Sequence, residues 1–356
     1  MTSAASGSDP DRVALPVFAD VDTGVDDAMA LVYLLASPEA DLVGIASTGG
    51  NVAVDQVCVN NLGLLRLCGA PDIPVSRGAA EPLACPMRTA EDTHGPAGLG
   101  YAELPPSDRR LTEYDSAQAW IRAAHDHPGT LIGLATGPLT NLALALRAEP
   151  ALPRLLRRLV IMGGAFDYRG NTTPVAEWNI SVDPESAAEV FAAWGAAWGE
   201  QDPDHLPIVL GLNVTENVAM TPAILARLAA AAGTPTPEMS VTDTRGTRSP
   251  ATNPLIGTLE DAMRFYFEFH HDQGEGYLAH LHDPLAAAAA LDPGLVRTRA
   301  TTVDVELVGA LTRGMTVADW SGHWGRRPNA LIGTETDPTV FFDRFIDRVG
   351  RYARRF

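Results

Sequence analysis

Short apolar runs alternate with amphipathic segments along most of this chain, and no other feature restricts its fold as strongly. Each run has the length of a buried strand, and each following segment has the length and spacing of a helix. The alternating pairs include VALPVF with DDAMALVYLLAS, DLVGIAS with VDQVCVNNLGLLRLCG, TLIGLATG with PLTNLALALR, and RRLVIMGG with DPESAAEVFAAWG. This is the pattern of βαβ units. It predicts an α/β fold in which helices cover both faces of an open, mostly parallel sheet, a Rossmann-like core.

The chain shows no internal boundary. Composition does not change along its 356 residues, 46% of which are hydrophobic, and no repeat of fixed period is present. We expect a single domain over residues 13–356, preceded by a polar, disordered tail at residues 1–12. Two loops are long for such a fold, at residues 77–112 and 233–254. The first should flank a binding site, because ligands of parallel sheets lie at the carboxyl ends of the strands.

Charge and composition exclude several kinds of partner. A formal charge of −18 repels phosphate backbones, so neither nucleic acid nor an anionic membrane is expected to bind, whereas a small neutral or cationic ligand is. The start of the chain lacks the apolar core of a secretion signal, and no apolar stretch reaches the ~20 residues of a membrane span. Three cysteines without CxxC spacing favour a reducing compartment. We therefore expect a cytoplasmic protein.

Four aspartates lie close together in FADVDTGVDDAMAL. Asp20 and Asp22 follow the first apolar run, while Asp26 and Asp27 fall in the first turn of the predicted helix. Capping of that helix would account for one of them. Four neighbouring carboxylates repel one another unless a cation or shared protons neutralise them, and oxygen ligands on a tight turn suit Ca²⁺ or Mg²⁺. The stretch predicts a metal site.

Two known kinds of aspartate motif can be compared with this stretch. An EF-hand loop that began at Asp20 would need Gly and Glu where this chain has Val25 and Leu31, so that interpretation fails. A phosphatase of the haloacid-dehalogenase type would use two aspartates in the positions of Asp20 and Asp22. Such enzymes normally hold the phosphoryl group with a lysine, and this sequence contains no lysine. Phosphoryl transfer is the weaker alternative.

Further polar residues follow other predicted strands or begin helices. Each has an ordinary explanation as a turn or cap residue when it is considered alone. Together they form an oxygen-rich set at strand ends, which suits a polyol held over a metal ion. The set comprises Asn51, Thr136, Asn171, Glu177, Asn179, His282 and Asp283.

These motifs resemble the nucleoside hydrolase family, the inosine-uridine-preferring N-ribosyl hydrolases. The resemblance extends over nearly the whole chain, and both the order and the spacing of the motifs fit. They are DVDTGVDDA, GGNV, HGPAGLG, ATGPLTNLA, MGGA, EWN, HDPLA and RGMTVAD. The first departs from the usual DTDPGxDDA through Val21 and Thr23, which removes no carboxylate.

The resemblance implies a reaction and a set of ligands. The reaction would be hydrolysis of the N-glycosidic bond of ribonucleosides, with Ca²⁺ held by Asp22, Asp27, Asp283 and the backbone carbonyl of Thr136. Asp22 would deprotonate the attacking water, and Asp20 would support the turn. His282 would be the candidate acid that protonates the departing base.

The same resemblance implies how substrate is held. Five residues would bind the ribose hydroxyl groups: Asp26, Asn51, Asn171, Glu177 and Asn179. Four would surround the base: His94, Trp178, Tyr266 and His270. The segment RFYFEFHHDQGEGY should form one wall, with Tyr266 and His270 one turn apart on a helix. Neither a purine nor a pyrimidine signature is evident.

Two other classes of function stay open at this point. One is the metal-dependent phosphatase described above, and the other is a riboside-binding protein that keeps the metal pocket without turnover. Because base, ligands and candidate acid are all present, the hydrolase is favoured. The resemblance also implies a homo-oligomer, either a dimer or a tetramer.

Overall fold

The computed structural model describes residues 14–198 and 202–356, so the predicted tail at residues 1–12 lies outside the described residues. Nine strands form one sheet and two form a separate pair. The strands are β1 (Leu15–Val21), β2 (Ala40–Ser47), β3 (Val75–Arg77), β4 (Leu131–Ala135), β5 (Leu156–Met162), β6 (Ile208–Leu210), β7 (Ala219–Met220), β8 (Ala279–His280), β9 (Val296–Val305), β10 (Thr316–Asp319) and β11 (Ala330–Thr336).

Helices connect these strands, together with 3₁₀ turns at Pro203–His205 and Pro293–Leu295. The α-helices are α1 (Val25–Leu35), α2 (Val54–Leu67), α3 (Glu91–His94), α4 (Ser116–Asp126), α5 (Thr140–Ala148), α6 (Leu152–Leu155), α7 (Trp178–Val182), α8 (Pro184–Trp198), α9 (Leu212–Thr215), α10 (Pro222–Ala231), α11 (Pro254–Asp272), α12 (His282–Leu291) and α13 (Pro338–Ala353).

The order of the large sheet is β10-β9-β11-β6-β5-β4-β1-β2-β3. Neighbours from β11 through to β3 are parallel, and β9 pairs antiparallel with both β11 and β10. After β1 the chain adds β2 and β3 on one side and then returns to β4 on the other. The carboxyl ends of β1 and β4 therefore form a topological switch point, where open parallel sheets bind ligands. The predicted fold class is confirmed.

Both faces of the sheet are covered, which explains why its strands are almost continuously apolar. Side chains of β1 alternate between two cores. Val17, Ala19 and Val21 belong to the core formed with α1, α10, α11, α12 and α13. Phe18 belongs to the core formed with α4, α5 and α8, where its ring lies 4.6 Å from that of Trp120.

Helix α12 is buried along its whole length and packs against α1. Its sequence, HDPLAAAAAL, presents small side chains, and the distance between packed helices decreases with the size of the side chains between them. Both helices begin at the same end of the sheet. The first turn of α12 thus brings Asp283 to Asp26 and Asp27 in the first turn of α1.

The two long loops occur where the sequence predicted them. The first connects β3 with α4 and is interrupted only by α3, and the second connects α10 with α11. Within residues 14–198 and 202–356, none of the helices combines the length and the apolar character needed to cross a bilayer.

Two helical glycines allow a matched test of the packing. A Cβ atom at Gly350 would lie 2.7 Å from the Cβ of Ala231, across the contact between α13 and α10. A Cβ atom at Gly257 would lie 3.7 Å from its nearest neighbour, the carbonyl oxygen of Ala251. We expect Gly350→Ala to lower the free energy of unfolding by about 1–3 kcal/mol through overpacking. Gly257→Ala should raise it by up to about 1 kcal/mol, because alanine favours the helix.

Urea unfolding of both variants provides the measurement. Equal effects of the two substitutions would show that α10 and α13 do not approach each other as closely as described.

Candidate active site

A cavity of about 490 Å³ opens at the carboxyl ends of β1 and β4. Its volume is in the range of sites for small-molecule ligands. All the predicted site residues line it except Asp22 and Asp27, which lie completely buried nearby. The predicted residues on its surface are Asp26, Asn51, His94, Thr136, Asn171, Glu177, Trp178, Asn179, Tyr266, His270, His282 and Asp283.

A cluster of buried carboxylates forms the floor. Asp26, Asp27 and Asp283 each place one oxygen within 4.8 Å of the others. Asp22 is close enough for its charge to interact with those of Asp26 and Asp27. One of its oxygens, Oδ2, accepts a hydrogen bond of 2.8 Å from the backbone N–H of Asn51. The other, Oδ1, is buried and has no hydrogen-bond partner among the described residues.

Burial makes negative charge costly in this cluster. It raises the pKa of Asp26 to about 7, and the charge of Asp27 contributes to that shift. Burial also raises the pKa values of Asp22 and Asp283 well above their usual range, with further contributions from the neighbouring carboxylates. A cation would favour the ionised forms of all these groups. Because every donor is an oxygen, the set fits a hard cation.

Asp27 connects three segments of the site. Its Oδ2 accepts hydrogen bonds from the Gly24 N–H (2.9 Å) and from Asn51 Nδ2 (3.1 Å). Its Oδ1 accepts one from Thr136 Oγ1 at 2.7 Å. Gly24 precedes α1, Asn51 follows β2 and Thr136 follows β4. One carboxylate therefore fixes the relative positions of three loops at the switch point.

The backbone approaches Asp22 closely. A Cβ atom at Gly50 would lie 2.2 Å from Asp22 Oδ2, and one at Gly137 would lie 3.0 Å from its carboxylate. Both glycines belong to the motifs GGNV and ATGPLTNLA. The two loops therefore form a cradle around Asp22 that a larger residue would fill. This agrees with a function for the carboxylate that requires precise placement.

Asp20, in contrast, is saturated with side-chain donors. Its carboxylate accepts hydrogen bonds from Trp120 Nε1 (2.7 Å), from Asn141 Nδ2 (3.0 Å) and from the hydroxyl of Thr48. These bonds partly offset the effect of burial, which raises the pKa of Asp20 to about 6. Asp20 is not among the residues that line the cavity.

Three of the residues predicted to hold ribose also organise the loop after β5. Glu177 accepts hydrogen bonds from the backbone N–H groups of Gly164, Asn179 and Ile180 and so caps α7. Asn171, which is exposed at the rim, accepts one from the Trp178 N–H at 2.9 Å. Asn179 Nδ2 donates to the carbonyl of Thr136 at 2.6 Å.

Aromatic and imidazole rings line the opposite side. As predicted, Tyr266 and His270 lie one turn apart on α11, and their ring centres are 4.7 Å apart. The ring centre of His94 lies 5.4 Å from that of Tyr266. Its Nδ1 accepts a hydrogen bond from the Val25 N–H at 3.1 Å. Because burial lowers the pKa of His94 to about 3, the ring is neutral and its proton is on Nε2.

Several residues that contact predicted ones were not foreseen. Thr215 Oγ1 lies 2.8 Å from Nδ1 of His282, and Glu275 Oε2 lies 2.7 Å from Nδ1 of His270. Arg169 joins Glu275 (3.1 Å) to Glu216 (2.9 Å) across the mouth of the cavity. The glycine-flanked GEG sequence after α11 was the available signal for Glu275. Thr215 lies far from His282 in the sequence, and the residues around it gave no signal that it would contact the site.

A carboxylate floor for a hard cation, beneath a polar pocket at the switch point of a parallel sheet, defines a metal-dependent α/β enzyme that acts on a small polar substrate. The family model described as inosine-uridine preferring nucleoside hydrolase matches residues 17–343. The chain belongs to this family. It is thus a hydrolase that acts on N-glycosyl compounds, as the sequence predicted.

Relatives and solved structures support this assignment. The pyrimidine-specific ribonucleoside hydrolase RihA of Citrobacter koseri is 36% identical over 343 residues, which cover 96% of this chain and 100% of that protein. The purine-preferring ribonucleoside hydrolase from Gardnerella vaginalis superimposes with a TM-score of 0.83 at 28% identity, over 96% of this chain and 100% of that one. A plant nucleoside hydrolase has a TM-score of 0.80 at 30% identity, over 94% and 98%.

The hydrogen bonds of Asp20 lead to a test of its supporting role. Trp120→Phe removes the buried donor to Oδ2, and leaving a buried carboxylate oxygen unpaired should lower the free energy of unfolding by about 1–3 kcal/mol. Trp198→Phe is the matched control, because Trp198 Nε1 donates to a half-buried backbone carbonyl of Pro153. Chemical unfolding should rank Trp120→Phe as the less stable variant. The reverse order would argue against a structural role for the Asp20 contacts.

Proposed function

We propose that this protein hydrolyses ribonucleosides to ribose and free base in a Ca²⁺-dependent reaction. The observation that carries the proposal is the buried carboxylate cluster at the floor of a polar pocket, next to an aspartate with one free oxygen. The family assignment supplies the class of reaction.

The proposed ligands of the cation are Asp22, Asp27, Asp283 and the backbone carbonyl of Thr136. Several carboxylates and a carbonyl from three separate parts of the chain suit Ca²⁺, whereas Mg²⁺ usually keeps several waters and takes one or two carboxylates. Asp26 shares the cluster with Asp27 and Asp283, and we assign it to the ribose hydroxyl groups. When bound, the cation would acidify water and hold the 2′- and 3′-hydroxyl groups of the sugar.

Asp22 is the proposed general base. Water attacks C1′ of the ribose, its proton passes to Asp22 Oδ1, and the electron pair of the N-glycosidic bond leaves with the nitrogen of the base. The free position of Oδ1 supports this assignment. Positive charge develops on the sugar as the bond breaks, and the surrounding carboxylates and amide oxygens stabilise it.

The rest of the pocket would position the substrate. We propose that the ribose is held by Asp26, Asn51, Asn171, Glu177 and Asn179, and that the base lies among His94, Trp178, Tyr266 and His270. The names of the relatives divide between pyrimidine and purine bases. A substrate panel therefore has to include both.

His282 stays the predicted acid for the departing base, but its surroundings place a condition on that role. Thr215 Oγ1 donates to the carbonyl of Gly211, so its oxygen can accept the proton of His282 Nδ1. Burial, together with three neighbouring histidines, lowers the pKa of His282 far below its usual value. The neutral ring then carries no proton on Nε2, and His282 must gain one before it can donate.

Compartment and assembly belong to the same proposal. A cytoplasmic location is supported by Cys58, Cys68 and Cys85, which are all free thiols. A homo-oligomer, dimer or tetramer, is proposed from the resemblance to the family. The family match favours a hydrolase over the phosphatase and over a binding protein without turnover. Release of phosphate from a phosphomonoester, with no sugar released from nucleosides, would reverse that order.

Asp22→Asn tests the general base. The substitution keeps the size of the side chain and removes its basicity, so turnover should fall at least ~10²-fold, in the range that general base catalysis supplies. Reducing-sugar release should be measured with inosine, adenosine, guanosine, uridine, cytidine and their 2′-deoxy forms. Asp72→Asn, at an exposed position outside the pocket, is the control and should behave like the wild type. Activity of Asp22→Asn close to that of the control would assign the base elsewhere.

Removal of the cation tests the ligand set. A chelator should abolish sugar release, and added Ca²⁺ should restore it. At 100 times its dissociation constant, Ca²⁺ should also stabilise the protein by about 2.7 kcal/mol, which a thermal shift would detect. Asp283→Asn should lose most of this stabilisation. An unchanged Ca²⁺ affinity of Asp283→Asn in calorimetry would remove Asp283 from the ligands.

A further inference from the structure

Helix α11 ends in a turn that brings two polar side chains together. Gly274 has φ +81°, its N–H donates to the carbonyl of His271, and the N–H of Glu275 donates to the carbonyl of His270, both at 3.0 Å. This is a Schellman motif, in which the residue after the left-handed glycine lies against the third residue before the cap. That contact is usually apolar. Here it joins a carboxylate to an imidazole.

The contact is directed at the pocket. Glu275 Oε2 lies 2.7 Å from Nδ1 of His270, whose side chain is 8% exposed. The second nitrogen of that ring, Nε2, is buried and has no partner among the described residues. His270 lines the cavity on the side assigned to the base. A buried ring nitrogen without a partner leaves a hydrogen bond available for a ligand.

We propose that His270 is the proton donor to the departing nucleobase, and that Glu275 is a positioning residue that holds His270 with Nε2–H directed at the base. The proposal rests on the hydrolysis proposed above and names a second imidazole, besides His282, for protonation of the base.

The chemistry of the two imidazoles differs in the partner of Nδ1. Glu275 offers a carboxylate, which stabilises an imidazolium and orients it, whereas His282 has only the neutral hydroxyl of Thr215. The bond from His270 also lowers the pKa of Glu275 to about 2, so this carboxylate stays ionised at neutral pH. With Glu275 at Nδ1, the ring is held so that its other nitrogen, Nε2, is the one available to a ligand.

Proton transfer from His270 accompanies cleavage of the N-glycosidic bond. The N-glycosidic bond breaks, its electron pair goes to the base, and the Nε2 proton of His270 passes to a ring nitrogen or carbonyl oxygen of that base. The water proton goes to Asp22. Exchange with solvent afterwards returns a proton to His270 and removes the one on Asp22.

Charged and titratable groups from several elements surround the His270 ring. The groups are Glu275 and Arg169 from loops, Glu216 after α9, His280 of β8, His94 of α3 and Tyr266 of α11. Glu275 is the only one of the six for which the structure shows a hydrogen bond to the ring.

A transition-metal site is the competing interpretation, since His270, Glu275 and His280 each place one donor atom within 4.8 Å of the others. Two observations favour the proton donor. The distance of 2.7 Å between Glu275 and His270 is that of a hydrogen bond, and the guanidinium of Arg169 already lies 3.1 Å from the other Glu275 oxygen. A second cation at this carboxylate would be repelled by that charge.

The test compares two leaving groups in the Ca²⁺-loaded enzyme. Inosine and uridine leave with a base that needs a proton, and p-nitrophenyl riboside leaves without one. Glu275→Gln and His270→Gln should lower kcat for the nucleosides by about 10- to 100-fold with little change in KM, while kcat for the p-nitrophenyl compound should fall less than about 3-fold. The double variant should match His270→Gln, because Glu275 acts through His270.

Asp272→Asn is the matched control, since it removes another carboxylate at the end of α11, one that pairs with Arg245 and does not line the cavity. Its ratio of nucleoside to p-nitrophenyl activity should equal that of the wild type. Equal losses on both substrates in Glu275→Gln, or additive effects in the double variant, would overturn the proposal even if the wild type hydrolyses nucleosides. One equivalent of zinc in the purified protein, lost in His280→Gln, would overturn it as well. A wild type that cleaves neither substrate would refute the hydrolysis itself.

Discussion

Mutual repulsion of buried carboxylates is the constraint around which this structure is organised. Asp22, Asp27 and Asp283 come from opposite ends of the sequence and meet beneath one pocket, where low polarity strengthens their repulsion. Nothing in the described protein neutralises them, although Asp27 has three hydrogen-bond donors. The switch point between β1 and β4, the close packing of α12 on α1 and the glycine cradle all hold these groups together. Either a cation or shared protons must offset this repulsion.

Two aspartates of one short strand end illustrate the difference between supporting and reactive positions. Asp20 is surrounded by donors from Thr48, Trp120 and Asn141, and its hydrogen-bonding capacity serves the fold. Asp22, two residues later and on the same side of the strand, keeps an oxygen without a partner. Hydrogen bonding to the charged form of a carboxylate reduces its basicity, so the saturated group is the poorer proton acceptor. Neighbouring donors, rather than residue type, separate the two roles.

Most of the fold was predictable because the alternation of strands and helices is local. Many of the residues that line the pocket could also be predicted, since most of them belong to motifs with fixed order. Contacts such as those of Thr215 with His282, or of Arg169 with Glu275, were not predictable, because they join segments whose relative position only tertiary packing determines. No direction was predicted for β9, which is followed by two strands without an intervening helix and pairs antiparallel with both. The pair of His270 and Glu275 is an exception, since a local helix-ending rule creates it.

The contact between His270 and Glu275 at the end of α11 can form earlier during folding than the carboxylate floor. His270 and Glu275 are separated by four residues, so their contact forms as soon as this helix terminates. The floor requires α12 to dock against α1, a contact between segments about 250 residues apart in the sequence, and closing such a long loop is slow. A chain emerging from the ribosome can therefore complete its proposed proton donor before its cation site exists. Capture of the proposed cation would then have to wait until α12 has been synthesised, late in the chain.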